Sequence, residues 1–196
     1  MPAFLILDPR CVFIHNPKTG GQALRNVLLK HEYEGPITGT LPEHWQGHFT
    51  FSFVRNPFDR LISAWKMFSQ GIEDTGWKVP LDLKPGMNLE EFLSIVTDDS
   101  VGFGLGDRSG KRRIRNHTLP QTHAFYSLDQ ASYLGRFESY ETDVQHIFET
   151  IGLPKLVPEP KHVTKRGPYE QYFNARTREI ATEYYAADLE KFNYQF

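Results

Sequence analysis

The chain reads as an α/β protein: a parallel sheet with helices packed against it. Two strand–loop–helix units within residues 11–70 carry that reading. In the first, Val12-Phe13-Ile14 runs into a glycine turn and an amphipathic stretch. In the second, Phe49-Thr50-Phe51-Ser52-Phe53-Val54 alternates aromatic with small residues, and Arg55-Asn56-Pro57 ends it before another amphipathic stretch. Composition agrees. With 39% hydrophobic and 23% charged residues, and fifteen Phe, nine Tyr and three Trp among 196 residues, the chain can bury a real core. One domain over residues 1–196 is expected.

The elements follow in order. Val12 to Ile14 is short, apolar and partly β-branched, as a buried strand is. Asn16-Pro17-Lys18-Thr19-Gly20-Gly21 breaks it, and Ala23, Leu24, Val27 and Leu28 then recur at helical spacing, with Arg25, Asn26 and Lys30 on the other face. After the second strand, Phe58, Leu61, Ile62 and Trp65 mark one face of a helix whose first turn accommodates Pro57. Asn88 with Glu91 three residues on predicts a capping box and a helix through Val96. Residues 101–116, with Gly102, Gly104, Gly106 and Gly110 and then Lys111, Arg112, Arg113 and Arg115, read as a loop. Ser132 to Phe137 suits a strand. Ser139 opens a helix with Tyr140, Val144, Ile147, Phe148 and Ile151 on one face, and Gly152 and Pro154 stop it. Pro158 and Pro160 keep the next connection extended, and a last helix begins near Asn174 with Ile180 and Tyr184 inward.

Charge and apolar patterning exclude several classes. Twenty-two Lys and Arg against 24 Asp and Glu leave a net charge of −2, so no global basic field points to nucleic acid. Phe4-Leu5-Ile6-Leu7 is far shorter than the ~20 residues a membrane span requires. The N-terminus carries no signal-peptide pattern, so a cytoplasmic location is expected. Cys11 is the one cysteine, which excludes a disulfide within the chain and any cysteine-based metal cluster.

The chemistry starts at residues 16–21. A strand that feeds a helix through Gly20-Gly21 presents backbone N–H groups and the positive end of the helix dipole to an anion. Lys18 adds a point charge able to follow a leaving oxygen, and Thr19 adds a hydroxyl. The same turn also suits an ordinary connection in which Lys18 is only solvated. It is not the nucleotide motif G-x-x-x-x-G-K-[ST]: the lysine precedes the glycines, and Gln22 and Ala23 offer no magnesium-binding hydroxyl. No metal is required. Arg55 stands at a strand's carboxyl end, where open α/β sheets receive ligands, and Ser63 lies two turns into the next helix. These could hold a second phosphate; alternatively Arg55 pairs with Asp59 and Ser63 is a small core residue. Arg60 suits a structural salt bridge.

HNPKTGG and FSFVRNPFDRLISAW together resemble the two donor-binding signatures of sulfotransferases that use 3′-phosphoadenosine 5′-phosphosulfate (PAPS), specifically the carbohydrate-type family with the heparan sulfate 2-O- and 6-O-sulfotransferases and small bacterial relatives. NHTLPQTHAF, YLGRFESYETDVQHIF, KHVTKRGPYEQYF and DLEKFNY continue the likeness, so it covers residues 12–194. The resemblance implies a three-layer α/β fold, with helices on both faces of a central parallel sheet and a P-loop-like phosphosulfate loop. It implies that Lys18, Thr19, Gly20 and Gly21 hold the 5′-phosphosulfate, with the Gln22 amide assisting. Relatives often have Thr or Ser after the second glycine, so Gln22-Ala23 is a departure. It further implies that Arg55 and Ser63 hold the 3′-phosphate and that Lys165-Arg166-Gly167 closes over it.

The reaction implied is sulfuryl transfer to a hydroxyl acceptor, with Lys18 neutralising the leaving phosphate and a general base taking the acceptor proton. His117 is the preferred base, because its segment resembles one that relatives place near the acceptor cleft. His15 and Glu138 are the next candidates. His48 belongs to the far end of the second strand, about 20 Å from Arg55 at ~3.3 Å per residue. The Arg108–Arg115 run, with Lys111, Arg112 and Arg113, suits an anionic glycan as well as it suits a solvated loop. A kinase-like nucleotide binder and a non-catalytic PAPS- or anion-binding module are the alternatives.

Overall fold

Only Asp8-Pro9 separates the apolar run Ala3–Leu7 (β1) from Arg10–Ile14 (β2), and the two pair antiparallel with Leu7 opposite Arg10. A link that short can only reverse the chain, since a parallel connection needs a dozen residues or more. The computed structural model describes residues 2–71, 78–104, 109–154, 158 and 166–196. It divides into two compact units, Met1–Arg55 with Gln121–Lys161, and Asn56–Pro120 with His162–Phe196.

The first unit holds one sheet of five strands in the order β3-β1-β2-β4-β5, with β3 over Tyr33–Ile37, β4 over Thr50–Val54 and β5 over Tyr133–Arg136. β2, β4 and β5 are parallel, while β1 runs antiparallel to both β2 and β3. The sheet is therefore mixed, not the parallel one expected. The parallel part is the part built from the two strand–loop–helix units, and the hairpin and β3 are additions to it. β3 contains Gly35 and Pro36, which weaken a strand, and it forms at an exposed edge where proline is tolerated. One face of the sheet supplies Phe4, Ile6, Cys11, Phe13, Phe51 and Phe53. They pack against Leu24 and Leu28 of α1 (Gly21–Leu28) and Val144, Ile147 and Phe148 of α5 (Tyr140–Thr150). Burial pushes the Cys11 thiol up to about 12, so it behaves as a small apolar side chain.

The second unit is helical: α2 (Pro57–Gln70), α3 (Leu89–Val96), α4 (Gly110–Thr118), α6 (Ala175–Tyr184) and α7 (Ala186–Phe192). Phe58, Leu61, Ile62, Phe68, Phe92, Leu93, Ile114 and Tyr185 form its core. The Asn88–Glu91 capping box is present at α3, and a second one, Asn174 with Thr177, opens α6. The expectation of a loop through residue 116 is overturned by α4. Ser109 caps it by accepting from the Arg112 N–H, the Asp82 carboxylate accepts from the Gly110 N–H at 2.7 Å, and Ile114 anchors it in the core. Glycine content argued against a helix, but Lys and Arg are good helix formers, Ser109 caps the start locally, and a distant aspartate takes one further N–H.

Candidate functional site

Past Ile14 the chain leaves β2 through His15 and Asn16 into a tight turn. Lys18 adopts φ 67° and Gly20 φ 81°, the left-handed region that favours glycine. Gly20 is the N-cap of α1, and no side chain caps that helix. Both glycines are demanded by their surroundings. A Cβ on Gly20 would lie 2.7 Å from the Tyr140 ring, and one on Gly21 would lie 2.5 Å from the His15 ring. His15 thus packs on the helix start. Thr19 is buried, and its hydroxyl donates to the Asn16 carbonyl at 2.8 Å, so its proton braces the turn. The Gln22 amide donates along the helix to Asn26 Oδ1 at 3.2 Å. Ala23 N–H donates to the Gly20 carbonyl at 3.1 Å, while the N–H groups of Gly21 and Gln22 precede the first helical acceptor and no side chain caps them, an arrangement suited to an anion.

Arg55, one residue past β4, is drawn to this turn. Its Nη1 donates to the Lys18 carbonyl at 2.8 Å, and its guanidinium carbon sits 3.8 Å from the centre of the Phe137 ring. Tyr140 packs 5.1 Å from Phe53 and 6.1 Å from Phe137, and its hydroxyl donates to the Gly20 carbonyl at 3.2 Å. Burial holds the Tyr140 phenol well above its ordinary range, so it stays a neutral donor. Behind the turn, Gln121 is fully buried. Its Oε1 accepts from Arg55 N and Asn16 Nδ2, both at 3.0 Å, and its Nε2 donates to the Arg55 carbonyl at 2.8 Å. Asn16 Nδ2 also donates to the Phe53 carbonyl at 2.9 Å, while buried Asn16 Oδ1 has no hydrogen-bond partner among the described residues.

In the helical unit, Asn56 caps α2, its side chain accepting from Phe58 N at 3.0 Å. Ser63 lies buried in the second turn of α2. Asp59 takes its ion pair from Arg166, and Arg60, 1% exposed, donates to the Leu119 carbonyl at 2.9 Å. Arg166 also donates to the Gly167 carbonyl, and Gly167 N donates to the Tyr172 hydroxyl at 3.2 Å. Lys165 and Arg108 lie outside the described residues.

His117 is in the last turn of α4. Its Nδ1 is 2.7 Å from the Arg113 carbonyl, and its ring meets Phe68 edge-on at 5.3 Å. A carbonyl only accepts, so Nδ1 carries the proton and Nε2 is the basic nitrogen. Arg115 departs from the exposed basic run expected of it. It is 4% exposed and donates to the Val96 carbonyl, the Tyr184 hydroxyl and Asp99. Lys111, Arg112 and Arg113 remain at least partly exposed. His48 precedes β4, at the strand end opposite Arg55, and Glu138 is exposed on a short turn before α5. Among the described residues no group of three or more His, Cys, Asp and Glu side chains could hold a metal ion, and no helix is long and apolar enough to cross a membrane.

Sequence reasoning did not single out Asn16, Gln121, Phe137 or Tyr140 for this site. The Asn-Pro pair after each strand was a usable signal for Asn16. Gln121 had none at short range, since its bonds reach back 66 and 105 residues.

Residues 31–195 match a family described as the Sulfotransferase family. That stretch begins past the Lys18 turn and runs through residues of both units. The chain is also similar to carbohydrate sulfotransferase 10 of Danio rerio, with 27% identity over 201 residues covering 86% of this chain and 54% of the relative. It thus spans about half the length of the curated relative it matches. No solved structure matches.

Proposed function

The chain belongs to the sulfotransferase family, and from that premise we propose that it moves a sulfuryl group from PAPS to a hydroxyl of a carbohydrate. The observation that carries the donor assignment is the uncapped N-terminus of α1, reached through left-handed Lys18 and Gly20, with Arg55 bonded to the Lys18 carbonyl. Such a start suits a sulfated phosphate, which brings acceptor oxygens and negative charge to unpaired donors. On this reading the turn is the P-loop-like element of the three-layer fold these enzymes share.

When bound, the donor supplies the sulfuryl group, whose anhydride S–O bond breaks as the acceptor's O–S bond forms, leaving 3′-phosphoadenosine 5′-phosphate. The N–H groups of Gly20, Gly21 and Gln22 bind the 5′-side oxygens, and Lys18 neutralises the charge that grows on the leaving phosphate. Thr19 braces the turn from inside. Arg55, Ser63, Lys165, Arg166 and Gly167 take the 3′-phosphate. His117 takes the acceptor's proton on Nε2, supported by the Arg113 carbonyl that keeps the other nitrogen protonated. Lys111, Arg112 and Arg113 draw an acceptor that is itself anionic, such as a uronic-acid or sulfated glycan.

Titrating 3′-phosphoadenosine 5′-phosphate into the protein without magnesium, with ATP as control, tests the donor. Ligand at 100 times its dissociation constant stabilises the fold by about 2.7 kcal/mol, which a thermal shift reads directly. Preference over ATP that weakens in Arg55→Ala supports the reading; binding indifferent to that change removes it. Transfer of labelled sulfate to desulfated and sulfated glycans then tests the acceptor class.

A further inference from the structure

β2 and β4 pair as parallel strands at Val12–Thr50 and Phe13–Phe51. Beyond that point side chains take over from the backbone. Ser52 Oγ donates to the Ile14 carbonyl at 2.7 Å, and Asn16 Nδ2 donates to the Phe53 carbonyl at 2.9 Å. Both chains leave the sheet here at the strands' carboxyl ends, the side on which an open α/β sheet receives ligands. Gln121 enters at that place and meets both the N–H and the C=O of Arg55 with its one amide, as a neighbouring strand would, while accepting from Asn16. Asn16 opens the Lys18 turn, and Arg55 returns to that turn through the Lys18 carbonyl. The contacts close a ring: Asn16, Gln121, Arg55, Lys18.

We propose that Gln121 is a positioning residue that sets Arg55, which meets the 3′-phosphate, at a fixed separation from the Lys18 turn, which meets the 5′-phosphate; this rests on the PAPS reading above. The 3′- and 5′-phosphates of one nucleotide are a fixed distance apart. A site whose two halves are tied at matching distance collects the benefit of both, and a slack one binds either phosphate at the expense of the other. Gln121 touches neither phosphate. Its removal therefore lowers the gain from the second phosphate, not the affinity for the first.

The readout is the affinity ratio of 3′-phosphoadenosine 5′-phosphate to adenosine 5′-phosphate, measured by calorimetry on the whole protein beside its thermal unfolding. In Q121A the ratio falls by about tenfold while affinity for adenosine 5′-phosphate stays within about threefold. Q121E keeps the inference testable should Q121A fail to fold. A neutral carboxylic acid keeps a carbonyl acceptor for Arg55 N and one O–H donor for the Arg55 carbonyl, whereas the carboxylate cannot donate. Expressed relative to wild type at each pH, the Q121E ratio approaches one at acid pH and drops as pH rises. Dividing by wild type removes the titration of the ligand phosphates and of the groups that both proteins share. Variants that lose thermal stability but keep the wild-type ratio at every pH overturn the inference and leave the donor reading standing. A wild-type protein that does not prefer the bisphosphate overturns both.

Discussion

Asn16-Pro17 follows β2 and Asn56-Pro57 follows β4, yet the two junctions treat their helices differently. Asn56 folds its side-chain oxygen onto Phe58 N, Pro57 occupies the first turn, and α2 starts closed by its own chain. Asn16 turns the other way, giving its amide N–H groups to Phe53 and Gln121, and α1 starts five residues later, at Gly21, behind a glycine with no cap. The same dipeptide thus closes one helix start and leaves another open. What differs is the destination of the asparagine side chain: a helix N–H at one junction, Phe53 and Gln121 at the other.

Lys18→Ala is the largest test of this contrast. If the open junction carries the leaving phosphate, kcat falls by about 10²–10³ while thermal stability barely moves. Single-turnover rates and a melting curve check both, and an unchanged rate breaks the comparison. Gly20→Ala comes next. It forces a left-handed alanine whose Cβ meets the Tyr140 ring at 2.7 Å, so stability drops by about 1–3 kcal/mol in denaturant titration, and bisphosphate affinity drops with it. Asn56→Ala removes the closed cap. About 1 kcal/mol of stability goes, with bisphosphate affinity held within about threefold; a tenfold loss would erase the distinction between the junctions.

The smallest effect is at α5, whose N-cap residue Ser139 accepts from no helix N–H and instead donates to Asp143 at 2.7 Å. Burial raises the Asp143 carboxyl, but hydrogen bonds from Arg136 N, Ser139 and Tyr133 outweigh it and hold the group below its ordinary value. A depressed native value stabilises the fold above the unfolded carboxylate pKa of about 3.9, and that contribution is lost as pH falls through the native value. Asp143→Asn therefore flattens the acid side of the melting-temperature profile, between roughly pH 5 and pH 2, and leaves the neutral region's slope alone.

Signals spanning three or four residues were legible in the sequence itself. The Asn88–Glu91 box, Pro57 at a helix start and the apolar faces of α1, α2 and α5 all lie where periodicity placed them. Lys18, Arg55 and the glycine turn stood out because backbone and charge chemistry restrict what such a string can do. Contacts between distant residues were not legible. Nothing near Phe137 announces that Arg55 will stack on it, and nothing near Asp82 announces that it will help start α4. The helix over residues 110–116 departs from the loop expected there in part for that reason, while 101–104 are non-helical as expected. β3 was hidden because Gly35 and Pro36 are poor strand residues that only an edge tolerates.

Arg55 and Gln121 are the last and first residues of the sheet unit on either side of Asn56–Pro120, and they are hydrogen-bonded to each other. A segment whose two ends are fastened together is topologically one large loop, however many helices it contains. Loop-closure entropy grows only logarithmically, by about 0.6 kcal/mol for each doubling in length. A change of length in the non-helical stretches of Asn56–Pro120 therefore adds little closure cost at the clasp. That clasp gives the chain a place to remodel its surface over evolution, or in the hands of a protein engineer, while the register of the sheet is left alone.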